Sequence, residues 1–196
     1  RFLVPYPHRP VSILVELFDY HQHVTTRMQH DVDPKDILIR RPTARLPYVT
    51  LQQADDTLQC IHISYVAEGY TADQLETYLS DCRTAMEALF SHEPFKTMRK
   101  RFNVIALLSL SADTDVSQPG KGIWRNTALG SHFDTFYSER YLTTLHLKRL
   151  HDLLTGTPYE HIIILANTEH YGGGGIYNSY NLCYTRGEPL RPVVVH

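Results

Sequence analysis

The sequence predicts an α/β (α+β) fold, a mostly parallel sheet under packed helices, and three observations carry that prediction. Residues 104–110 (Val-Ile-Ala-Leu-Leu-Ser-Leu) and 161–167 (His-Ile-Ile-Ile-Leu-Ala-Asn) are strand-length apolar runs without polar alternation, as strands covered on both faces require. A third strand at residues 60–67 is separated from residues 104–110 by one long amphipathic helical pattern, the layout of a βαβ unit. Four consecutive glycines then precede a Tyr/Asn-rich stretch at residues 176–184, read as one atypical polar strand.

Taken in order, the chain opens with β structure. Residues 11–18 have a β-rich apolar pattern, Asp19-Tyr20-His21-Gln22 supplies a turn, and residues 24–30 return as a polar strand. Ile37-Leu38-Ile39 reads as a third short strand after the Asp33-Pro34 turn. Two or three strands do not make a stable domain alone, so residues 1–41 are expected to be the last strands of a β-sandwich. Residues 42–58, with Pro42 and Pro47, read as a linker carrying a short strand at residues 48–51. The α/β domain is expected over residues 59–196.

Within that domain Thr71 reads as an N-cap with Gln74 three residues on, a capping box. Leu75, Tyr78, Leu79, Cys82, Met86, Leu89 and Phe90 follow at helical spacing, which predicts a helix over residues 72–91. Pro94 forbids its continuation. Residues 111–136 are polar and too long for an ordinary connection, so they are expected to serve function. A second helix is predicted from Ser138 or Thr143 to Leu154, stopped by Gly156 and Pro158. The strands at residues 60–67, 104–110 and 161–167 should be adjacent and parallel.

Composition excludes several classes. The 196 residues carry 19 Lys+Arg against 21 Asp+Glu, a net charge of −2, which leaves no basic footprint for nucleic acid. Hydrophobic residues at 42% and charged residues at 20% suit a chain with a real core rather than a disordered one. No apolar run approaches the roughly 20 residues of a membrane helix. Cys60, Cys82 and Cys183 lack CxxC spacing and read as small buried hydrophobes. The chain starts at Arg1 and stops directly after a valine run, so it is expected to be a fragment cut at both ends.

The twelve histidines invite a metal reading that their spacing does not support. His21-Gln22-His23 sits in a turn. His92-Glu93 opens like HExxH, but Pro94 follows and Lys96 stands where the second histidine is needed. His146 and His151 are five apart, off one helical face. The tetraglycine lacks the Gly-Lys-Ser/Thr of a P-loop and opens no helix. It marks either a hairpin turn or a backbone approached closely, including a sheet edge that accepts an extended peptide. No GxSxG occurs, and Ser131, His132 and Asp134 are neighbours in sequence only, which is not triad geometry.

Longer blocks are more specific. Ala67-Glu68-Gly69-Tyr70-Thr71, Phe90-Ser91-His92-Glu93-Pro94-Phe95, Gly130-Ser131-His132-Phe133-Asp134-Thr135-Phe136-Tyr137, and Asn167-Thr168-Glu169-His170-Tyr171-Gly172-Gly173-Gly174-Gly175-Ile176-Tyr177-Asn178 resemble the IgA-peptidase family of secreted bacterial zinc metallopeptidases, metallopeptidase family sixty-four. So does Pro192-Val193-Val194-Val195-His196.

The resemblance implies a zincin-like N-terminal subdomain, with one antiparallel edge strand above the cleft along which substrate lies extended. It implies substrate binding at Gly172, Gly173, Gly174, Gly175, Ile176, Tyr177 and Asn178. The valine strand of the family leads into a helix bearing HExxH, which makes His196 the first zinc ligand. The general base and the remaining ligands would follow His196, so this chain by itself is expected neither to hold zinc nor to cleave. The implied activity is zinc-dependent endopeptidase action on extracellular proteins or glycoproteins, in a secreted, periplasmic or outer-surface setting. The reading from another class is a non-catalytic secreted binding or adhesion module on the same fold.

Overall fold

The structure is a computed structural model, and it describes residues 7–39, 43 and 46–186. The chain divides into two units, Arg1–Pro42 and Thr43–His196. In the first, β1 (Val11–Phe18) and β2 (Val24–Val32) form an antiparallel hairpin with an irregularity at Leu17/Phe18. Its turn is built by Asp19, whose carboxylate accepts the backbone N–H groups of His21 and His23 at 2.8 and 2.9 Å.

The predicted strand at Ile37-Leu38-Ile39 does not form. Asp33 accepts from the Lys35 N–H and Asp36 from the Leu38 N–H, while the Ile39 N–H donates to the Asp36 carbonyl. These local bonds capture the donors that a sheet would need, and Ile37 is left 95% exposed.

The second unit is a six-stranded sheet in the order β3-β5-β4-β6-β8-β7. Its strands are β3 (Tyr48–Gln52), β4 (Ile61–Glu68), β5 (Phe102–Leu107), β6 (His161–Ala166), β7 (Gly173–Ile176) and β8 (Tyr180–Tyr184). The four central strands are parallel, with β4 between β5 and β6 as the apolar runs predicted. Two antiparallel edges flank them, β3 on β5 and β7 on β8, where one was expected. The stretch read as linker therefore contributes an edge strand.

Alternation along each strand sorts the side chains into two cores. Ile63, Tyr65 and Ala67 of β4, with Val104 and Ala106 of β5, meet α1 (Leu75–Phe90) through Leu79, Cys82, Met86 and Leu89. A short helix α2 (Phe95–Met98) follows and leads into β5. On the opposite face Val66, Leu107, Ile162, Ile164 and Leu182 pack against Leu129, Leu142, Leu150 and Leu154. The β4–β5 crossover runs over one face and the β5–β6 crossover over the other. Right-handed connections that step in opposite directions along a sheet must do so.

Two predicted elements are corrected. The second helix, α3, spans only Leu147–Leu153, because Tyr141 and Thr143 are drawn into bridges with Gly173 and His132. The single polar strand expected over residues 176–184 is a hairpin. Ile176 pairs with Tyr180 across a turn in which Asn178 takes φ 54°, a conformation asparagine tolerates. The glycines themselves form the edge strand.

Three of those glycines are fixed by close approach of the chain to itself. A Cβ at Gly172 would lie 2.7 Å from the Arg140 carbonyl oxygen, at Gly173 2.8 Å from that of Leu182, and at Gly174 2.9 Å from that of Leu142. At Gly175 it would meet only the Asn181 side-chain oxygen, at 3.1 Å. Gly174→Ala is therefore expected to cost about 1–3 kcal/mol through overpacking, and Gly175→Ala less than about 0.5 kcal/mol. Urea unfolding of the two variants checks the difference.

Candidate functional site

Polar side chains concentrate at the carboxyl ends of the parallel strands. The connection leaving β4 steps toward β5, and the one leaving β6 steps toward β8, so a topological switch point lies between β4 and β6. Open α/β sheets place their sites at such a point. Here the chain fills it. The Asn167 Nδ2 donates to the Gly69 carbonyl at 2.9 Å and is 3.1 Å from both Gln74 Oε1 and Thr114 Oγ1. The same Gln74 oxygen accepts the Thr71 N–H at 3.1 Å, the reciprocal half of the predicted capping box. Arg186 Nε donates to Asn167 Oδ1 at 2.7 Å and its guanidinium lies 3.3 Å from Asp81.

Asp81 also accepts from the Tyr70 hydroxyl at 2.7 Å. Burial pushes the Asp81 carboxyl up, against the pull of Tyr70 and Arg186. Burial, reinforced by Asp81, pushes the Tyr70 phenol up, so it stays a hydrogen-bond donor.

Glu68, the last residue of β4, is fully buried on the opposite face. Its carboxyl group accepts from Thr127 Oγ1 at 2.7 Å, the Leu129 N–H at 2.8 Å and the Ser131 N–H at 2.7 Å. Three bonds to one side chain pin the middle of the long polar segment, and the next residues inherit that placement. His132 exchanges backbone bonds with Thr143 at 3.0 and 3.3 Å, and the Phe133 N–H donates to the Ser117 carbonyl at 3.0 Å. Ser131, His132 and Asp134 form no triad. His132 Nδ1 lies 2.6 Å from the Phe133 carbonyl, Asp134 accepts the Gly120 N–H, and Ser131 Oγ is buried without a partner among the described residues.

The edge strand β7 is half closed. Gly173 N–H donates to the Arg140 carbonyl at 3.2 Å and the Gly173 carbonyl accepts from Leu142 N–H at 3.3 Å. Alternation along an antiparallel ladder turns the same two groups of Gly175 away from β8, where they meet no partner among the described residues. Gly175 is exposed. Beside the start of β7 opens a pocket of about 350 Å³ lined by Lys121, Asp134, Glu139, Arg140, His170 and Tyr171, among others. The His170 ring stands edge-on to Phe133 at 6.0 Å.

Of the residues expected to bind substrate, Gly172 is buried against Phe133, Gly173, Gly174, Gly175 and Ile176 form the edge, Tyr177 is 92% exposed, and Asn178 makes the turn. His196 and the valine strand before it lie outside the described residues. Among the described residues no group of three His, Cys, Asp or Glu side chains is placed to hold a metal ion. His21 and His23 sit at the hairpin turn, as the Asp19-Tyr20-His21-Gln22 turn predicts.

Glu68 and Asn167 stand in the blocks that carry the resemblance, but sequence patterning assigns neither a structural role and ends the strand of residues 60–67 before Glu68. The available signal was a charged residue continuing an apolar strand. Glu68→Ala would strand two buried N–H groups and is expected to destabilise the chain by about 3–5 kcal/mol. Glu68→Gln, which keeps one acceptor oxygen, is expected to cost about 2 kcal/mol. Chemical denaturation separates the two.

No curated protein matches the chain by sequence. No helix among the described residues is long and apolar enough to cross a membrane. The profile of the IgA Peptidase M64 family matches residues 49–195, which begins inside β3 and takes in the rest of the sheet, the glycine edge and the Glu68 and Asn167 clusters. The match covers well over half of the sequence, and the chain belongs to this family of metallopeptidases.

Proposed function

We propose that the chain is the substrate-binding wall of a secreted bacterial zinc endopeptidase that cleaves extracellular proteins or glycoproteins. The observation that carries this reading is the edge strand β7, whose exposed Gly175 offers one N–H and one C=O to an extended peptide. Strand addition holds an extended peptide through its main-chain hydrogen bonds. The family membership supplies the class of reaction.

The chain's own residues have distinct parts in such a site. Gly175 bonds the peptide backbone through its outward N–H and C=O. The pocket beside β7 receives a substrate side chain, and its Lys121, Arg140, Asp134 and Glu139 favour a polar one. The Glu68 and Asn167 clusters hold the surrounding loops rigid at the carboxyl end of the sheet. The described residues do not supply a zinc site, so the metal rests on the family and on His196 as its first ligand. Residues 1–41 are assigned as the last strands of a β-sandwich, and the 196 residues alone as inactive.

A longer chain carrying what its gene encodes after His196 tests the reading. It should cleave a denatured protein, and a chelator should stop it. In that chain Gly175→Pro removes the outward N–H and should raise KM about tenfold, as loss of roughly 1.4 kcal/mol of backbone bonding does, while Gly175→Ala leaves it within about twofold. Zinc binding without cleavage of any protein would instead mark a binding module.

A further inference from the structure

The pocket beside the start of β7 is lined by charges that cancel. Lys121 and Arg140 supply two cations, and Asp134 and Glu139 supply two carboxylates. The ion pairs found among the described residues all lie elsewhere. The Arg140 guanidinium instead stands over the Tyr141 ring, 5.9 Å from its centroid. Asp134 is held through Oδ2, which accepts the Gly120 N–H at 2.8 Å. A Cβ at Gly120 would lie 3.0 Å from that oxygen. The second Asp134 oxygen makes no hydrogen bond among the described residues.

Such a wall selects for a ligand that both donates and accepts. A charged side chain entering it meets two groups of opposite sign and two of its own, and the four charges together offer it no net attraction. A hydroxyl donates to a carboxylate and accepts from a guanidinium or an ammonium. Gln118 and His170 on the same lining also present groups of both kinds. A ring carrying several hydroxyls can therefore satisfy this wall without leaving a polar group unpaired.

The pocket has an apolar side as well. Tyr171 is 64% exposed and packs against Tyr184 with ring centroids 5.5 Å apart, and Phe133 joins it on the lining. A pyranose is amphipathic, with hydroxyls at its rim and C–H groups on its faces, and aromatic rings accept such a face. The volume of about 350 Å³ stands at the lower end of ligand pockets, roughly 300–1,000 Å³, and suits a single sugar ring. The loop that rims the pocket is strained. Asp134, Phe136 and Tyr137 take φ of 60°, 55° and 58°, a region that bulky side chains rarely enter, yet Phe136 and Tyr137 remain exposed. Strain of this kind clusters at ligand sites.

We infer that the pocket binds a neutral sugar, an N-acetylhexosamine attached directly to a side chain of the substrate. It lies beside the edge that takes the peptide backbone, so the sugar within its reach is the one joined to the peptide. In glycoproteins that unit is characteristically an N-acetylhexosamine. Glu139 and the free oxygen of Asp134 accept from the sugar hydroxyls, Lys121 and Arg140 donate to them, and Tyr171 covers a C–H face. The link to a peptide rests on the peptidase reading, whereas the binding of the sugar does not.

The methyl glycosides of N-acetylglucosamine and N-acetylgalactosamine, titrated onto the 196-residue chain by saturation-transfer NMR, test this without metal or cleavage. At least one should bind saturably, with Kd on the order of 1 mM. Tyr171→Ala and Arg140→Gln should each weaken that binding about fivefold, the loss of one contact. Both side chains are exposed, and Glu139→Gln replaces either variant that circular dichroism shows unfolded. Nα-acetyl lysine amide and Nα-acetyl glutamate amide should bind at least about fivefold more weakly than the better sugar. No saturable sugar binding, binding indifferent to both substitutions, or tighter binding of a charged amino acid overturns the inference and leaves the peptidase reading standing. A longer chain that cleaves no protein overturns that reading and leaves the sugar site intact.

Discussion

Glu68 is wholly buried at the end of the central strand, and a carboxyl group without access to water must find its hydrogen bonds in the protein. It finds three, from Thr127, Leu129 and Ser131. That requirement converts a long polar segment, entropically free to wander, into a layer with one conformation. Ser131 leads to His132, which pairs with Thr143, and Leu142 next to it closes on Gly173. The placement of the edge strand is thus linked, bond by bond, to one side chain on β4.

Periodicity made the centre of this fold legible and left its rim obscure. The β4, β5 and β6 runs and the face of α1 were readable because burial on both faces of a strand, or on one stripe of a helix, writes directly into residue type. Capping by Gln74 was readable because it is local. The β7–β8 hairpin was not, since Tyr-Asn-Ser is a weaker turn signal than Asn-Gly and the flanking residues all tolerate extended backbone. The short α3 and the lost strand at Ile37 share a cause. In both, hydrogen bonds to particular partners, Gly173 and His132 in one case and Asp33 and Asp36 in the other, overrode the pattern of the side chains.

The tetraglycine shows that close approach to a backbone can come from the chain itself. Three of the four glycines mark a backbone approached closely, and at Gly172, Gly173 and Gly174 what approaches is the carbonyl of Arg140, Leu182 or Leu142. An open strand edge invites uncontrolled pairing, and the chain closes most of this one with its own residues 140–142. Only Gly175 combines exposure with space. Small residues at the first three positions thus serve the fold, and the fourth stays open at the edge.

That division sets the energetics of any peptide on the edge. One residue offers two backbone hydrogen bonds, each worth about 1 kcal/mol net, well short of the several kcal/mol that association costs. The pair fixes direction and register rather than affinity. Affinity has to come from side chains, and the pocket beside the start of β7 is placed to supply it, with Lys121 and Arg140 against Asp134 and Glu139. Charges of both signs in one pocket discriminate by geometry, because a substrate group that meets the wrong partner is repelled. On the proposed reading, selectivity of this wall falls to the pocket residues, which lie in residues 118–140, the segment that Glu68 holds in place, and at His170 and Tyr171.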